Sequence, residues 1–162
     1  MLPDDTILIA EDMEDDALLL ERAFNLIGLA NPVRLMGDGA EVIEYLRGAG
    51  RYADRAMFPF PRVLFTDLKM PQVGGFELLE WLREHPEHAV VPTIVLSSSG
   101  EPSDVRRAYE LGAHAYLVKP CSMEDLQKMM RRMYEFWALS AQTPSPTGRH
   151  RPMPYNLLCG MG

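Results

Sequence analysis

Little in this sequence favours a secreted or membrane-bound protein. Its 162 residues include only two cysteines, which are too few for a disulfide framework or a cysteine-rich zinc site. Apolar runs extend over a few residues before Glu, Pro or Ser interrupts them, so no membrane span is expected. The first residues are acidic and lack the basic region of a secretory signal. We therefore expect a protein of the reducing cytoplasm.

Basic side chains are also scarce, since 16 Lys and Arg stand against 23 Asp and Glu, for a formal net charge of -7. Arg149 and Arg151 are the only charged side chains after position 138, so the preceding part is more acidic still. Nucleic-acid binding requires clustered Lys and Arg and is not expected here. An acidic surface suits a divalent cation or a basic protein partner, although most of its carboxylates serve only solubility.

Short apolar runs alternate with amphipathic segments along most of the chain. The pattern predicts strands over residues 7–10, 33–36, 62–66, 93–96 and 115–118, and helices over 15–27, 39–47, 76–83, 103–111 and 122–139. Gly28 and Gly112 stand where helices commonly end, and Ser122 with Asp125 has capping-box spacing. Strands and helices that alternate with short connections require parallel strands and right-handed crossovers. The sequence predicts an α/β fold, a doubly wound five-stranded parallel sheet with five helices.

Two segments lie outside this alternation. Residues 48–61 form a loop of a length that is often functional. Residues 140–162 are rich in proline and have no periodicity, so we predict one domain over residues 1–139 and a tail that is not a separate domain.

The last predicted helix carries more apolar residues than one core-facing stripe requires. Its stripe and the residues beside it are Met123, Leu126, Met129, Met130, Met133, Tyr134, Phe136 and Trp137, and the tail adds Tyr155, Leu157 and Leu158. Methionine-rich surfaces suit partner contacts. We therefore predict a homodimer through the last helix and the tail; the alternative is that the whole arc is core.

Polar side chains follow four of the predicted strands. They are Glu11 and Asp12, Asp67, Ser97, and Lys119. Because ligands bind beyond the carboxyl ends of the strands in such sheets, we expect these residues in one site. Three close carboxylates repel one another and invite an oxygen-binding cation, with Mg²⁺ the usual choice beside a phosphoryl group. One carboxylate could attack phosphorus, while a lysine and a hydroxyl hold the phosphoryl oxygens.

Each of these residues also has an ordinary alternative. Asp12 could cap the first helix, Ser97 could be a turn residue, and Lys119 could be a solvated side chain. The pair Gly74-Gly75 has the composition of a turn rather than of a glycine-rich phosphate loop. Because Asp12, Ser97 and Lys119 are all expected at one edge of the sheet, a functional role is favoured over these separate alternatives.

Residues 6–138 resemble the receiver domain of two-component response regulators. The resemblance rests on the acidic pair Glu11-Asp12, on Ser97, on the segment from Asp67 to Pro71 with Gly74-Gly75, and on the segment from Tyr116 to Pro120. It implies a flavodoxin-like receiver fold. It also implies a phosphorelay regulator that accepts a phosphoryl group from a sensor histidine kinase on Asp67, and so catalyses its own phosphorylation and dephosphorylation rather than acting as a conventional enzyme.

The resemblance also implies roles for the other site residues. Mg²⁺ would be held by Glu11, Asp12, Asp67 and the backbone carbonyl of Lys69. Ser97 would contact the phosphoryl group, and Tyr116 would turn inward to report it. Lys119 would pair with the phosphoryl oxygens, and its peptide bond to Pro120 would be cis.

A narrower resemblance is to single-domain regulators that are paired with phytochrome-type histidine kinases. It rests on the acidic segment 11–16, on the loop containing Tyr52-Ala-Asp54, and on Phe136-Trp137. Lys69 departs from that group, which commonly has a neutral residue there, so dephosphorylation is the step expected to differ. Residues 140–162 are too few for an output domain, and we expect signalling through protein contacts.

Two other functions compete with this interpretation. A pseudo-receiver would keep the fold as a phosphorylation-independent binding module, but it usually lacks one of the residues that are intact here. An aspartate-nucleophile phosphatase commonly has a second aspartate two residues after the nucleophile, where this chain has Lys69.

Overall fold

The computed structural model describes residues 5–136, which form a sheet of five strands with helices on both faces. The elements in chain order are β1 (Ile7–Ala10), α1 (Glu14–Leu26), β2 (Val33–Met36), α2 (Gly39–Arg47), β3 (Val63–Thr66), α3 (Gly75–Glu84), β4 (Thr93–Ser97), α4 (Pro102–Glu110), β5 (Ala115–Val118) and α5 (Met123–Glu135). All ten predicted elements are confirmed, most of them within one residue at each end. The predicted end of α5 beyond residue 136 and the predicted tail lie outside the described residues.

The strand order is β2-β1-β3-β4-β5, and every neighbouring pair is parallel. Alternate residues of β1 serve opposite faces: Ile7 and Ile9 join a core formed with α1 and α5, while Leu8 and Ala10 join one formed with α2 and α3. Both sets are apolar because helices cover both faces. This is why the central strands show no polar alternation in the sequence.

The register of the strands aligns their carboxyl ends. Ala10 pairs with Thr66, Thr66 with Val95, and Val95 with Tyr116. The residues that follow these positions therefore emerge along one edge of the sheet, where the sequence predicted the site.

The helix boundaries follow local chemistry. Gly28 and Gly112, which follow α1 and α4, have φ values of 79° and 99°, a region that glycine enters without steric cost. Ser122 caps α5, since its hydroxyl accepts the backbone N–H of Asp125 at 3.1 Å. The carboxylate of Asp125 accepts the Ser122 hydroxyl at 2.9 Å instead of the backbone N–H that a complete capping box would use.

Arg55 of the long loop after α2 bonds to three backbone carbonyl oxygens. The Arg55 guanidinium donates to the carbonyl oxygens of Tyr45 at 2.8 Å, Leu46 at 2.6 Å and Phe58 at 3.1 Å. Two of these carbonyls belong to the last turn of α2, where helices leave carbonyls unpaired. The loop joins the end of α2 to the start of β3, and it also contacts the first turn of α2, where the Tyr52 hydroxyl donates to Glu41 Oε1 at 2.7 Å.

Between residues 5 and 136, no helix is both long enough and apolar enough to cross a membrane.

Candidate functional site

Asp67 follows β3 directly and is held on both sides by the backbone. Its N–H donates to the carbonyl of Ala10 at 3.0 Å, and its Oδ1 accepts the N–H of Leu68 at 2.6 Å. Its exposed fraction is 9%. The carboxyl group is therefore almost enclosed, with one oxygen fixed and the second, Oδ2, directed at other side chains.

Gly75 allows α3 to begin against the backbone of Asp67. A Cβ atom at position 75 would overlap the carbonyl oxygen of Asp67 and would lie 2.9 Å from the Cα of Leu68. Gly74 is the N-cap of α3, with a φ of -81°. The interpretation of this glycine pair as a turn is thus wrong. Position 75 requires glycine because two backbone segments approach each other too closely there for a Cβ atom.

Three carboxylates meet beside Asp67. One oxygen from each of Glu11, Asp12 and Asp67 lies within 4.8 Å of the others. Glu11 and Asp67 are buried and Asp12 is exposed, so the cluster opens toward solvent on one side. Such a set of hard oxygen donors fits a divalent cation such as Mg²⁺ or Mn²⁺. The helix-cap alternative for Asp12 is wrong, because the N-cap of α1 is Met13, whose N–H donates to Glu11 Oε1 at 3.1 Å.

Lys119 follows β5 and brings a positive charge into the cluster. Its Nζ donates to Asp67 Oδ2 at 3.1 Å, to Asp16 Oδ2 at 3.0 Å, and to Glu11 Oε2. Burial alone would lower the pKa of Lys119, but its hydrogen bonds to Glu11 and Asp16 and the charge of Asp67 outweigh burial and raise it above its ordinary value. The ammonium stays charged at neutral pH, and the solvated alternative for Lys119 is wrong.

Asp16 was not among the predicted site residues. It lies in the first turn of α1, whereas Asp12 precedes the N-cap of that helix. The acidic run from Glu14 to Asp16 was the available signal, but it also suits the first turn of any helix. The partner that distinguishes Asp16 is 103 residues away.

The pKa of Glu11 is raised above its ordinary value, mainly by burial. Burial raises its pKa, hydrogen bonds from Lys119 and from the N–H of Met13 lower it, and the charge of Asp67 adds to the rise, so that the net shift is upward. Carboxylates that repel in this way gain from a bound cation.

Ser97 ends β4 and is 2% exposed. Its hydroxyl accepts the N–H of Ser99 at 3.2 Å, and the hydroxyl of Ser99 in turn donates to Asp104 Oδ2 at 2.6 Å. The phenol of Tyr116 donates to the carbonyl of Ser99 at 2.8 Å. The loop between β4 and α4 is thus bonded both to Ser97, which is expected to contact the phosphoryl group, and to Tyr116, which is expected to report it.

Two expectations for this region have different outcomes. The side chain of Lys69 is exposed, and its backbone carbonyl as a cation ligand stays a prediction. The expected cis peptide between Lys119 and Pro120 is wrong, because residues 5–136 contain no cis peptide bond. The two forms of an X–Pro bond differ by only about 0.5–1 kcal/mol, so either is accessible at such a position.

The family model of the response regulator receiver domain matches residues 7–131. The chain belongs to the response regulator receiver family. This confirms the resemblance stated from the sequence, and it makes the protein a phosphorelay regulator of the two-component type.

Solved structures refine the comparison for this receiver. It is similar to the response regulator RPA3017 in red light signaling of R. palustris, with 33% identity, a TM-score of 0.83, and coverage of 87% of this chain and 99% of that one. The phosphorylated cyanobacterial phytochrome response regulator RcpA gives 29% identity, a TM-score of 0.80, and coverage of 88% and 99%. The Mn²⁺-bound form of Rcp1, a Synechocystis regulator, is 28% identical in sequence, with a TM-score of 0.76 and coverage of 87% of this chain and 99% of that one. The similar structures thus include regulators named for a phytochrome or bacteriophytochrome, as the narrower resemblance implied.

Proposed function

We propose that this receiver accepts a phosphoryl group on Asp67 from the phosphohistidine of a sensor histidine kinase. The observation that carries the proposal is the convergence of Lys119 Nζ and two further carboxylates on the nearly buried carboxyl group of Asp67. A carboxylate oxygen of Asp67 attacks phosphorus, a P–O bond forms, and the P–N bond breaks. The electron pair of that bond leaves with the imidazole nitrogen, which is then protonated. Lys119 faces the negative charge on the phosphoryl oxygens.

The cation in this proposal is Mg²⁺, held by Glu11, Asp12, Asp67 and the backbone carbonyl of Lys69. Three hard oxygen donors within 4.8 Å of one another support it, as does the Mn²⁺ in the similar Rcp1 structure. The ion would neutralise charge shared by the carboxylates and the phosphoryl oxygens. Mg²⁺ is the usual partner of phosphate chemistry.

Phosphorylation would be read out through Ser97 and Tyr116. A phosphoryl group on Asp67 offers new oxygens to the Ser97 hydroxyl, which now accepts the Ser99 N–H. Moving Ser97 changes the position of the Ser99 carbonyl that Tyr116 holds. Output would then be a change in the surface around α4 and β5, recognised by other proteins.

The input partner we propose is a histidine kinase of the phytochrome type. Support comes from the red-light and phytochrome regulators to which the chain is similar. The kinase makes its phosphohistidine from ATP, so we place the encounter in the cytoplasm. Phosphotransfer profiling against the histidine kinases of the host tests this pairing: fastest transfer from a phytochrome kinase is expected, and a clear preference for another kinase would refute the pairing while leaving the chemistry at Asp67 intact.

A homodimer through α5 and the tail is the second part of the proposed assembly, and the exposed surface beside α5 supports it. Val118 of β5 is 48% exposed and Phe136 at the end of α5 is 58% exposed, and a groove is lined by Leu117, Met129 and Met133 together with charged residues of α5. A second copy would cover this apolar surface. Truncation after residue 139 tests the contribution of the tail, and a monomer by sedimentation at tens of micromolar would refute the dimer.

The phosphorylation proposal is tested by incubation with a small phosphodonor and Mg²⁺. A receiver gains a hydroxylamine-labile acyl phosphate. A pseudo-receiver gains none, and a phosphatase consumes the donor continuously without accumulating label. Either of the last two results would overturn the proposal.

A further inference from the structure

The ammonium of Lys119 has three N–H donors and three carboxylate partners in the structure, namely Glu11, Asp16 and Asp67. Two of these partners have functions of their own, since Asp67 is the proposed acceptor and Glu11 belongs to the cation cluster. Asp16 belongs to neither. Its bond to Lys119 therefore calls for a separate explanation.

Asp16 reaches the lysine from the rim of the site. Its side chain is 43% exposed, against 1% for Glu11 and 11% for Asp67. It stands in the first turn of α1, which Leu20 and Phe24 fix in the core. Asp16 is thus a carboxylate on a rigid helix, and it bonds the outer side of an ammonium whose inner side faces the reacting group.

We propose that Asp16 is a positioning residue, which holds the Lys119 ammonium in place for phosphoryl transfer to Asp67. The inference rests on the proposed function and deepens it. A lysine side chain has a flexible four-carbon stem and loses considerable rotamer freedom when it is fixed. Lys119 also follows β5, an edge strand that is only half-buried. An additional hydrogen bond fixes the ammonium before the phosphoryl group arrives.

Asp16 is the partner whose bond can persist through the reaction. When Asp67 becomes an acyl phosphate, Lys119 must turn from Asp67 Oδ2 to a phosphoryl oxygen. When a cation binds, Glu11 is drawn toward it. The bond of 3.0 Å between Lys119 Nζ and Asp16 Oδ2 involves neither change, so it serves as the fixed point about which the ammonium turns.

A simpler account predicts the opposite sign. If Asp16 were only one more negative charge near the phosphoryl group, it would repel that group and slow phosphorylation. Asp16→Asn removes the charge and retains an acceptor oxygen, whereas Asp16→Ala removes both. Positioning predicts the order wild type, then Asp16→Asn, then Asp16→Ala, from fastest to slowest. Charge repulsion predicts that both variants are faster than the wild type.

Asp15→Asn is the matched control. Asp15 lies in the same first turn of α1 and is exposed, and the bonds described for Lys119 do not include it. The substitution changes the net charge and the helix-terminal charge as Asp16→Asn does. Any difference between the two variants therefore reflects the contact with Lys119.

The experiment measures the rate constant of Asp67 phosphorylation by a small phosphodonor at saturating Mg²⁺, on the full chain, with melting curves to verify folding. Asp16→Ala is expected to lower the rate about five- to tenfold, because one hydrogen bond to a charged group is lost. Asp16→Asn should lose less, and Asp15→Asn should match the wild type. In a Lys119→Ala background, Asp16→Ala should have no further effect.

Three results would overturn the inference: Asp16→Ala behaving like Asp15→Asn, either Asp16 variant exceeding the wild type, or the same loss in the Lys119→Ala background. The wild type serves as the reference for the proposed function. If it gains no phosphate on Asp67, the proposed function fails and the positioning role fails with it. If it is phosphorylated and Asp16→Ala matches Asp15→Asn, only the role of Asp16 is refuted.

Discussion

Lys119 Nζ and Asp67 Oδ2 lie 3.1 Å apart although they follow strands that are not neighbours in the sheet. Asp67 follows β3, Lys119 follows β5, and β4 runs between them and ends at the buried Ser97. The lysine side chain therefore extends across the end of β4 to reach the carboxylate. This places a hydroxyl, an ammonium and a carboxylate at three adjacent strand ends, an arrangement that suits the charge and hydrogen-bonding needs of a phosphoryl group.

Mg²⁺ is expected to stabilise the folded protein. The three clustered carboxylates repel one another, and a ligand that binds only the native state raises its stability by mass action. Titration with Mg²⁺ to millimolar concentrations, followed by thermal unfolding, should show a rise in melting temperature. Asp12→Ala should reduce that rise. Melting curves that do not change with Mg²⁺ would contradict the cation site.

The contact between Tyr116 and the loop after β4 is expected to change on phosphorylation. Beryllofluoride, a phosphoryl mimic, should shift the NMR signals of α4, β5 and the loop near Ser99, because Ser97 and Tyr116 both bond to Ser99. Tyr116→Phe removes the 2.8 Å bond to the Ser99 carbonyl and should reduce the shifts on α4 while leaving those around Asp67. Identical spectra with and without beryllofluoride would instead make Tyr116 a fixed strand residue.

Gly75→Ala is expected to destabilise the protein by overpacking. The added methyl group would overlap the carbonyl oxygen of Asp67, and inserting a group into a packed region costs about 1–3 kcal/mol. Gly100→Ala is a suitable control, because its nearest contact, 3.7 Å to Val118, is an ordinary one. Denaturant unfolding of both variants measures the difference. Equal stabilities would show that α3 can shift away from Asp67 without cost.

The periodic features of this protein were predictable from its sequence. Central strands such as Ile7–Ala10 are apolar throughout because they are covered on both faces, and short crossovers leave only parallel pairing. Given that topology, the grouping of Glu11, Asp67 and Lys119 followed from chain order. The sequence pattern could not predict contacts that depend on how far an individual side chain extends.

Asp16 and Gly75 illustrate those missed contacts. An aspartate in a first helical turn is ordinary, and its partner 103 residues away is visible only once the strands are aligned. A glycine pair after a strand suggests a turn, whereas position 75 needs glycine because a Cβ atom there would overlap the backbone of Asp67. The hydrogen bonds of Arg55 in the long loop were also unpredictable, because a single arginine in the sequence does not indicate which carbonyl oxygens it will bind.

The unfolding free energy of the protein should fall at alkaline pH because of Tyr52, which lies in the loop after α2. Burial, together with the hydrogen bond to Glu41, raises the pKa of this phenol from 10.0 to about 12. Between these values the unfolded chain loses its proton first, so the folded state binds more protons and stability falls as pH rises. The loss should be on the order of 2 kcal/mol. Tyr52→Phe should flatten the unfolding free energy over this pH range, and parallel profiles would contradict the assignment.

The most direct test of the central claim is the intact mass of the wild type and of Asp67→Asn after incubation with a small phosphodonor and Mg²⁺. The substitution preserves the shape of the side chain and the acceptor oxygen for the Leu68 N–H, but it removes the nucleophilic carboxylate. The wild type should gain the mass of one phosphoryl group, removable by hydroxylamine, and Asp67→Asn should gain none. A phosphoryl group of the same lability on Asp67→Asn would contradict the assignment of Asp67 as the acceptor.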